Sequence, residues 1–210
     1  MQKRTVVIQP VVAVIFASIG PDAFSATLTT GKDEQSLLPY WQVQDDGLML
    51  RLVQRLPDQT RGFFMGRKFS PAHAEKIATS CVFQTVFKNI SDQGKPSPLT
   101  YNLRDWVIHY QGTTRHLKTR EDWEREWAET DARQSSKMDF YWSLIPTTMT
   151  YEPGDYNWGM SIFDLKPGAR FDLTISWQQF EKPHSYKIKN IECSPDIHPD
   201  PSDFGKPTFE

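Results

Sequence analysis

Apolar and polar residues alternate with a period of two through most of this chain, and that pattern constrains the fold more than any other feature. In "KPGARFDLTISWQQF" Phe171, Leu173, Ile175 and Trp177 fall on one side of an extended backbone. "YWQVQDDGLMLRLVQRL" reads as two strands around Asp45-Asp46-Gly47, with Leu48, Leu50 and Leu52 alternating after the turn. "CVFQTVFKNI" sets Cys81, Phe83, Thr85 and Phe87 against Val82, Gln84 and Val86. "LTYNLRDWVIHY", "DFYWSLIP" with Phe140, Trp142 and Leu144, the two sides of the Glu152–Asp155 turn, and "SYKIKNIEC" continue the rhythm. About eight short strands at spacings of roughly 8–12 residues predict an all-β chain, an antiparallel β-sandwich of immunoglobulin-like type.

Two stretches break the rhythm. From about 57 to 80, Ser70 followed by Pro71 marks a helix start, and the preceding "PDQTRGFFMGRK" has helical two-sidedness, so a helical hairpin joins two strands. Gly62 and Gly66, four apart, would let another backbone approach. From about 120 to 131, Thr119 with Asp122 resembles a capping box, and Trp123 and Trp127 share a helix face.

The chain starts Lys3-Arg4, continues with an apolar run to Gly20, and reaches "PDAFSA", where cleavage after Ser25 leaves Ala23 and Ser25 at the small-residue positions. That is the pattern of a secretory signal peptide over 1–25, and the run is short of the ~20 residues a membrane span needs. The expected compartment is periplasmic or extracellular, with no integral membrane span. Residues 26–193 form one sandwich domain, and the Pro- and Asp-rich 194–210 an extended or disordered tail. In an oxidising compartment the two cysteines, Cys81 and Cys193, are expected to form a disulfide. Of 24 basic and 26 acidic side chains, Lys3, Arg4 and Asp22 lie in the leader, leaving a mature net charge of about −3. The charges are mixed without a basic block, which argues against nucleic acid as a partner.

No hydrolase or phosphate-loop motif is present, so no catalytic residue is nominated, although a hydrolytic enzyme without a motif stays an alternative. The acidic run Glu121, Asp122, Glu124, Glu126 and Glu129 reads as a solvated helix face. Asn89-Ile90-Ser91 matches a glycosylation sequon, a weak signal. Met138, Met149 and Met160 recur every eleven residues, close to one strand plus turn; with His109 and His116 they form a candidate Cu(I) site, because soft sulfur selects that ion. Seven Trp, seven Tyr and thirteen Phe make aromatic recognition the other candidate. Tyr151, Tyr156 and Trp158 surround a turn, while Trp106, Trp142 and Trp177 read as core. Phe63 and Phe64, rimmed by Arg61 and Arg67, either cap an open end of the sandwich or dock a partner. The sequence thus points to an exported, non-catalytic binding or accessory protein of the cell envelope. Two roles fit: copper handling or assembly of a partner protein, and a glycan- or protein-binding module with an aromatic surface.

Overall fold

The computed structural model describes residues 26–94 and 97–197; the leader and all but the first four residues of the tail lie outside them. The architecture is an all-β sandwich of two antiparallel sheets with small helical inserts. The first sheet has the order β1-β2-β3-β4-β9, from Thr27–Lys32, Pro39–Gln44, Leu48–Gln54, Val82–Asn89 and Tyr156–Ile162. The second is built on β10 (Arg170–Gln179), which β11 (Lys182–Glu192) accompanies along its full length. Its other edge carries β6 (Val107–Tyr110) and β5 (Leu99–Asn102) end to end, with β7 (Thr113–His116) outside β6 and β8 (Thr148–Tyr151) outside β5. "LTYNLRDWVIHY" is therefore two strands, broken by a 3₁₀ turn at Leu103–Asp105.

The alternation decides what lies between the sheets. Leu48, Leu50 and Leu52 of β3 and Phe83 and Phe87 of β4 face Phe171, Leu173, Ile175 and Trp177 of β10, all buried in one cluster. Cys81 and Cys193 form the expected disulfide, with Cα atoms 5.2 Å apart, tying the entry of β4 to the end of β11.

The hairpin consists of α1 (Pro57–Gly66) and α2 (Pro71–Ala78). Its corner is a Schellman motif: the Phe69 amide donates to the Phe64 carbonyl (3.2 Å) and the Lys68 amide to Met65 (2.9 Å), with Lys68 at φ 64°. The apolar contact such a corner calls for is made by the Phe64 and Phe69 rings, 5.6 Å apart. Ser70 caps α2 by accepting from the His73 amide. Gly62 and Gly66 meet no backbone: a Cβ at either would point into open space. Helix α3 (Arg120–Ala128) is the predicted tryptophan helix, with Asp122 accepting from the Thr119 amide at 2.8 Å.

Two expectations need correction here. "DFYWSLIP" is no strand: its Asp139–Ser143 are the second half of a fourth helix, α4 (Gln134–Ser143), and Leu144 makes an isolated bridge to Met160. Its Phe140, Tyr141 and Leu144 are buried, a helical i, i+1, i+4 set, while Trp142, expected in the core, is 76% exposed. A short apolar run such as Phe140-Tyr141-Trp142 offers no means of telling period two from period 3.6. The hairpin does not cap an open end of the sandwich either. It lies on the outer face of the first sheet, where Val82, Met160 and Ile162 join Phe64, Phe69, Trp123, Trp127 and Phe140 in a second core. Of the tail, Ser194 is buried and Asp196 is ion-paired to Arg61 at 2.6 Å, so its first residues are anchored to α1.

Asn89 shows how specific the interior is. It is fully buried; its Nδ2 donates to the carbonyls of Ser97 (2.7 Å) and Tyr151 (2.9 Å), and its Oδ1 accepts from the Ser91 amide. The sequon is thus a structural asparagine, closed to a glycan in this fold. Asn89→Ala removes three hydrogen bonds from the interior and is expected to lower stability by about 3 kcal/mol; chemical denaturation of the oxidised protein measures it, and a loss below about 1 kcal/mol would contradict the role.

Candidate functional site

Register on the outer face of the first sheet brings side chains from four strands into rows. One row runs Met160–Gln84–Val53–Tyr40 and the next Trp158–Val86–Arg51–Gln42. At strand spacings of about 4.8 Å a row spans roughly 14 Å from β9 to β2. The helical insert covers the end of this face nearest Ile162, and a cleft of about 370 Å³ opens where its cover stops. Phe63 and Arg67 come to this cleft from the hairpin, Trp142 and Asp139 from α4, Gln84 and Trp158 from the sheet, and Arg55 from the strand-to-hairpin junction.

Each wall has a local cause. Trp142 projects from α4 because Phe140 and Tyr141 beside it are buried in the second core. The chain leaving α4 crosses β9 so closely that a Cβ on Gly159 would stand 2.7 Å from the Ile145 amide nitrogen, and that amide donates to the Met160 carbonyl (3.1 Å). Glycine at 159 is what allows the crossing. Phe63, next to buried Phe64, lies half-buried beneath two guanidinium groups: Arg67 at 3.4 Å from the ring centroid and Arg55 at 5.0 Å. Arg67 Nη1 also donates to the Phe63 carbonyl at 3.2 Å. Burial, with the neighbouring Arg67 charge, holds the Arg55 guanidinium below the usual arginine range.

A second hollow of about 640 Å³ continues the cleft across the sheet and shares Arg55 and Gln84 with it. Its floor includes Tyr40, Arg51 and Val53, and its far wall is the loop between β1 and β2. Arg51 lies over the Tyr40 ring at 4.0 Å and pairs with Asp33 at 2.9 Å. Asp33 organises that loop by accepting from the amides of Ser36 (3.0 Å) and Gln35 (3.2 Å).

The other nominated residues separate. Phe64 is fully buried, and Arg61 is spent on ion pairs with Asp58, Glu75 and Asp196. Tyr156 is exposed farther along β9, and Tyr151 is core. For the copper set, Met138 lies exposed on α4, Met149 on β8 of the second sheet and Met160 buried on β9 of the first. The eleven-residue recurrence therefore spans a helix and two sheets rather than one meander. His109 pairs across the ladder with Thr114 and bonds the Thr174 hydroxyl at 2.9 Å; His116 sits opposite Val107. Among the described residues no three His, Cys, Asp or Glu form a metal-binding group. The acidic face of α3 is engaged in structure: Glu126 with Lys76 and Lys118, Asp122 with Arg125, Glu121 with Arg104.

Sequence reasoning named Phe63, Arg67 and Trp158 as two separate surfaces and missed Arg55, Gln84, Asp139 and Trp142. Gln84 was legible as an outward position of β4; Arg55, just past the end of β3, and Trp142, misread as core, carried no such signal. No family model, no curated protein and no solved structure matches this chain.

The Asp33 loop makes a pH prediction. The Ser36 amide, with the Ser36 hydroxyl, the Gln35 amide and the Arg51 charge, holds the Asp33 carboxyl below its ordinary value against partial desolvation. A depressed carboxylate stabilises the fold fully above its unfolded pKa, near 4, and loses that contribution as pH falls through the lower folded value. Amide exchange at Ser36 and Leu37 should therefore accelerate, relative to the core strands, only below about pH 4. Acceleration already at pH 6 would contradict this.

Proposed function

We propose that this chain is an exported binding protein of the cell envelope that holds a glycan in the cleft between its helical insert and the outer face of its first sheet. The observation carrying this reading is the convergence of two exposed indoles, Trp142 and Trp158 (76% and 66% exposed), on one cleft with Phe63, Gln84 and two arginines. Flat aromatic faces match the C–H faces of a sugar ring, and amide, guanidinium and carboxylate groups beside them match its hydroxyls. Large indoles left in water next to a preformed hollow are hard to explain by folding alone.

The continuing 640 Å³ hollow gives the site length as well as depth, which suits a chain of sugar rings. A further hollow, of about 660 Å³ over β10 and β11, offers Asp105 and His184, but its indole, Trp177, is 3% exposed and cannot act as a platform. Binding rather than hydrolysis is favoured because Asp139 is the one carboxylate of the 370 Å³ cleft, whereas most glycosidases use two, and of Asp33 and Glu34 in the continuing hollow Asp33 is committed to Arg51 and the Ser36 and Gln35 amides. The disulfide fits export to an oxidising compartment. Among the described residues no helix is long and apolar enough to cross a membrane.

Titration of the mature protein against a panel of neutral and acidic envelope and plant oligosaccharides, followed by tryptophan fluorescence, tests the reading. Binding of at least one class is expected, weakened about tenfold by Trp158→Ala, the loss of one stacked ring. Binding to no member of the panel, or affinity indifferent to Trp158→Ala, would overturn it.

A further inference from the structure

Two arginines that pair with no acid among the described residues share one cleft and one aromatic ring. Arg51, Arg61, Arg104, Arg125 and Arg170 each pair with a carboxylate. Arg55 and Arg67, like Arg115, Arg120 and Arg133, pair with none among the described residues, and they share one cleft and one aromatic ring. Arg55 Nε is buried and without a hydrogen-bond partner. Of Arg67, one nitrogen donates to the Phe63 carbonyl. A guanidinium carries five N–H donors in a fixed fork, so most of the donors of this pair point at no protein acceptor.

Holding two cations together in a partly desolvated cleft costs free energy that an anion placed between them would recover. The charge of the lining sets which anion. Arg55 and Arg67 contribute two positive charges and Asp139, exposed on the rim, one negative, leaving a single excess positive charge. That balances a monoanion such as a carboxylate and is short of what a dianionic phosphomonoester needs. The planar fork of a guanidinium also matches a carboxylate with two parallel N–H···O bonds.

We propose that the sugar bound in this cleft is a uronic acid, its ring stacked on the exposed indoles and its carboxylate held by Arg55 and Arg67, which are the specificity-determining residues of the site. This rests on the glycan-binding reading above and narrows it. Phe63 is the positioning element: its ring carries both guanidinium groups and its carbonyl fixes one of them. Lowering of the Arg55 pKa by burial and by Arg67 agrees with a pair that waits for a counter-charge.

The test uses the mature, disulfide-bonded protein and isothermal titration with galacturonate, mannuronate and glucuronate oligomers, each beside its fully methyl-esterified form. The ester removes the charge and keeps the rings. At least one acid is expected to bind ten times or more tightly than its ester, with the preference shrinking as salt is raised. Arg55→Gln and Arg67→Gln should each bring the acid-to-ester affinity ratio close to one, with binding of the acid weakened more than binding of the ester. Equal affinity for acid and ester overturns the carboxylate proposal and leaves glycan binding standing. Binding of neither overturns both. A preference that survives in both glutamine variants shows that these arginines are not its source. The acid–ester comparison is made on the unmodified protein, so a variant that fails to fold does not blunt the test.

Discussion

The arrangement depends on a second hydrophobic core that lies outside the sandwich. Val82, Met160 and Ile162 are outward residues of β4 and β9, positions that water would ordinarily claim, and the helical insert buries all three under Phe64, Phe69, Trp123, Trp127 and Phe140. The rings meet at centroid distances of 5.2–5.7 Å in the pairs Phe64–Phe140, Phe69–Trp127, Trp123–Phe140 and Trp127–Phe140. Edge and tilted contacts of this kind add to area burial and fix orientation. Because this cluster holds α1 and α4 against the sheet, the residues next to it in sequence, Phe63 and Trp142, are carried to the rim of the cover. The cleft is thus a by-product of where the second core stops.

Charge then finishes what packing begins. Arg61 gathers Asp58, Glu75 and Asp196, so α1, α2 and the segment after Cys193 are cross-linked at the far side of the hairpin. The Arg61 side chain is 14% exposed and Asp196 22%, so that pair is shielded from solvent, while Asp58 and Glu75, each 50% exposed, add screened contacts. Arg55 and Arg67, a turn or so away in sequence, have no such duty. The same short stretch therefore holds one arginine engaged by three carboxylates and two that pair with none among the described residues, and only the geometry separates them.

Sequence alone made the sandwich legible because burial on one face repeats every two residues. β10 could be read residue by residue, and Leu48, Leu50 and Leu52 with it. Both helix starts were legible from Ser70-Pro71 and from Thr119 with Asp122, since caps are local chemistry. α4 was not, because Arg133 caps it without a side-chain bond and its apolar residues alternate as a strand's would. The site was half visible. Phe63, Arg67 and Trp158 were flagged for their residue types, but 91 residues separate Arg67 from Trp158, and nothing in a one-dimensional pattern brings them together. That meeting is decided by which face of the sheet the insert covers, a tertiary choice made by Val82, Met160 and Ile162. The methionine recurrence failed for the converse reason: equal spacing in sequence means equal placement only if the elements between are alike.

The central claim is that ligand meets this molecule where insert and sheet converge, and the indole region of the proton–nitrogen NMR spectrum addresses it directly. The chain has seven tryptophans, one resonance each, and two of them line the cleft exposed. Addition of a bound oligosaccharide should shift the indole signals of Trp142 and Trp158, assigned by single substitution, and leave those of Trp106, Trp123, Trp127 and Trp177 in place. Shifts confined to Trp177, on the second sheet, or spread evenly over the buried indoles would contradict the account.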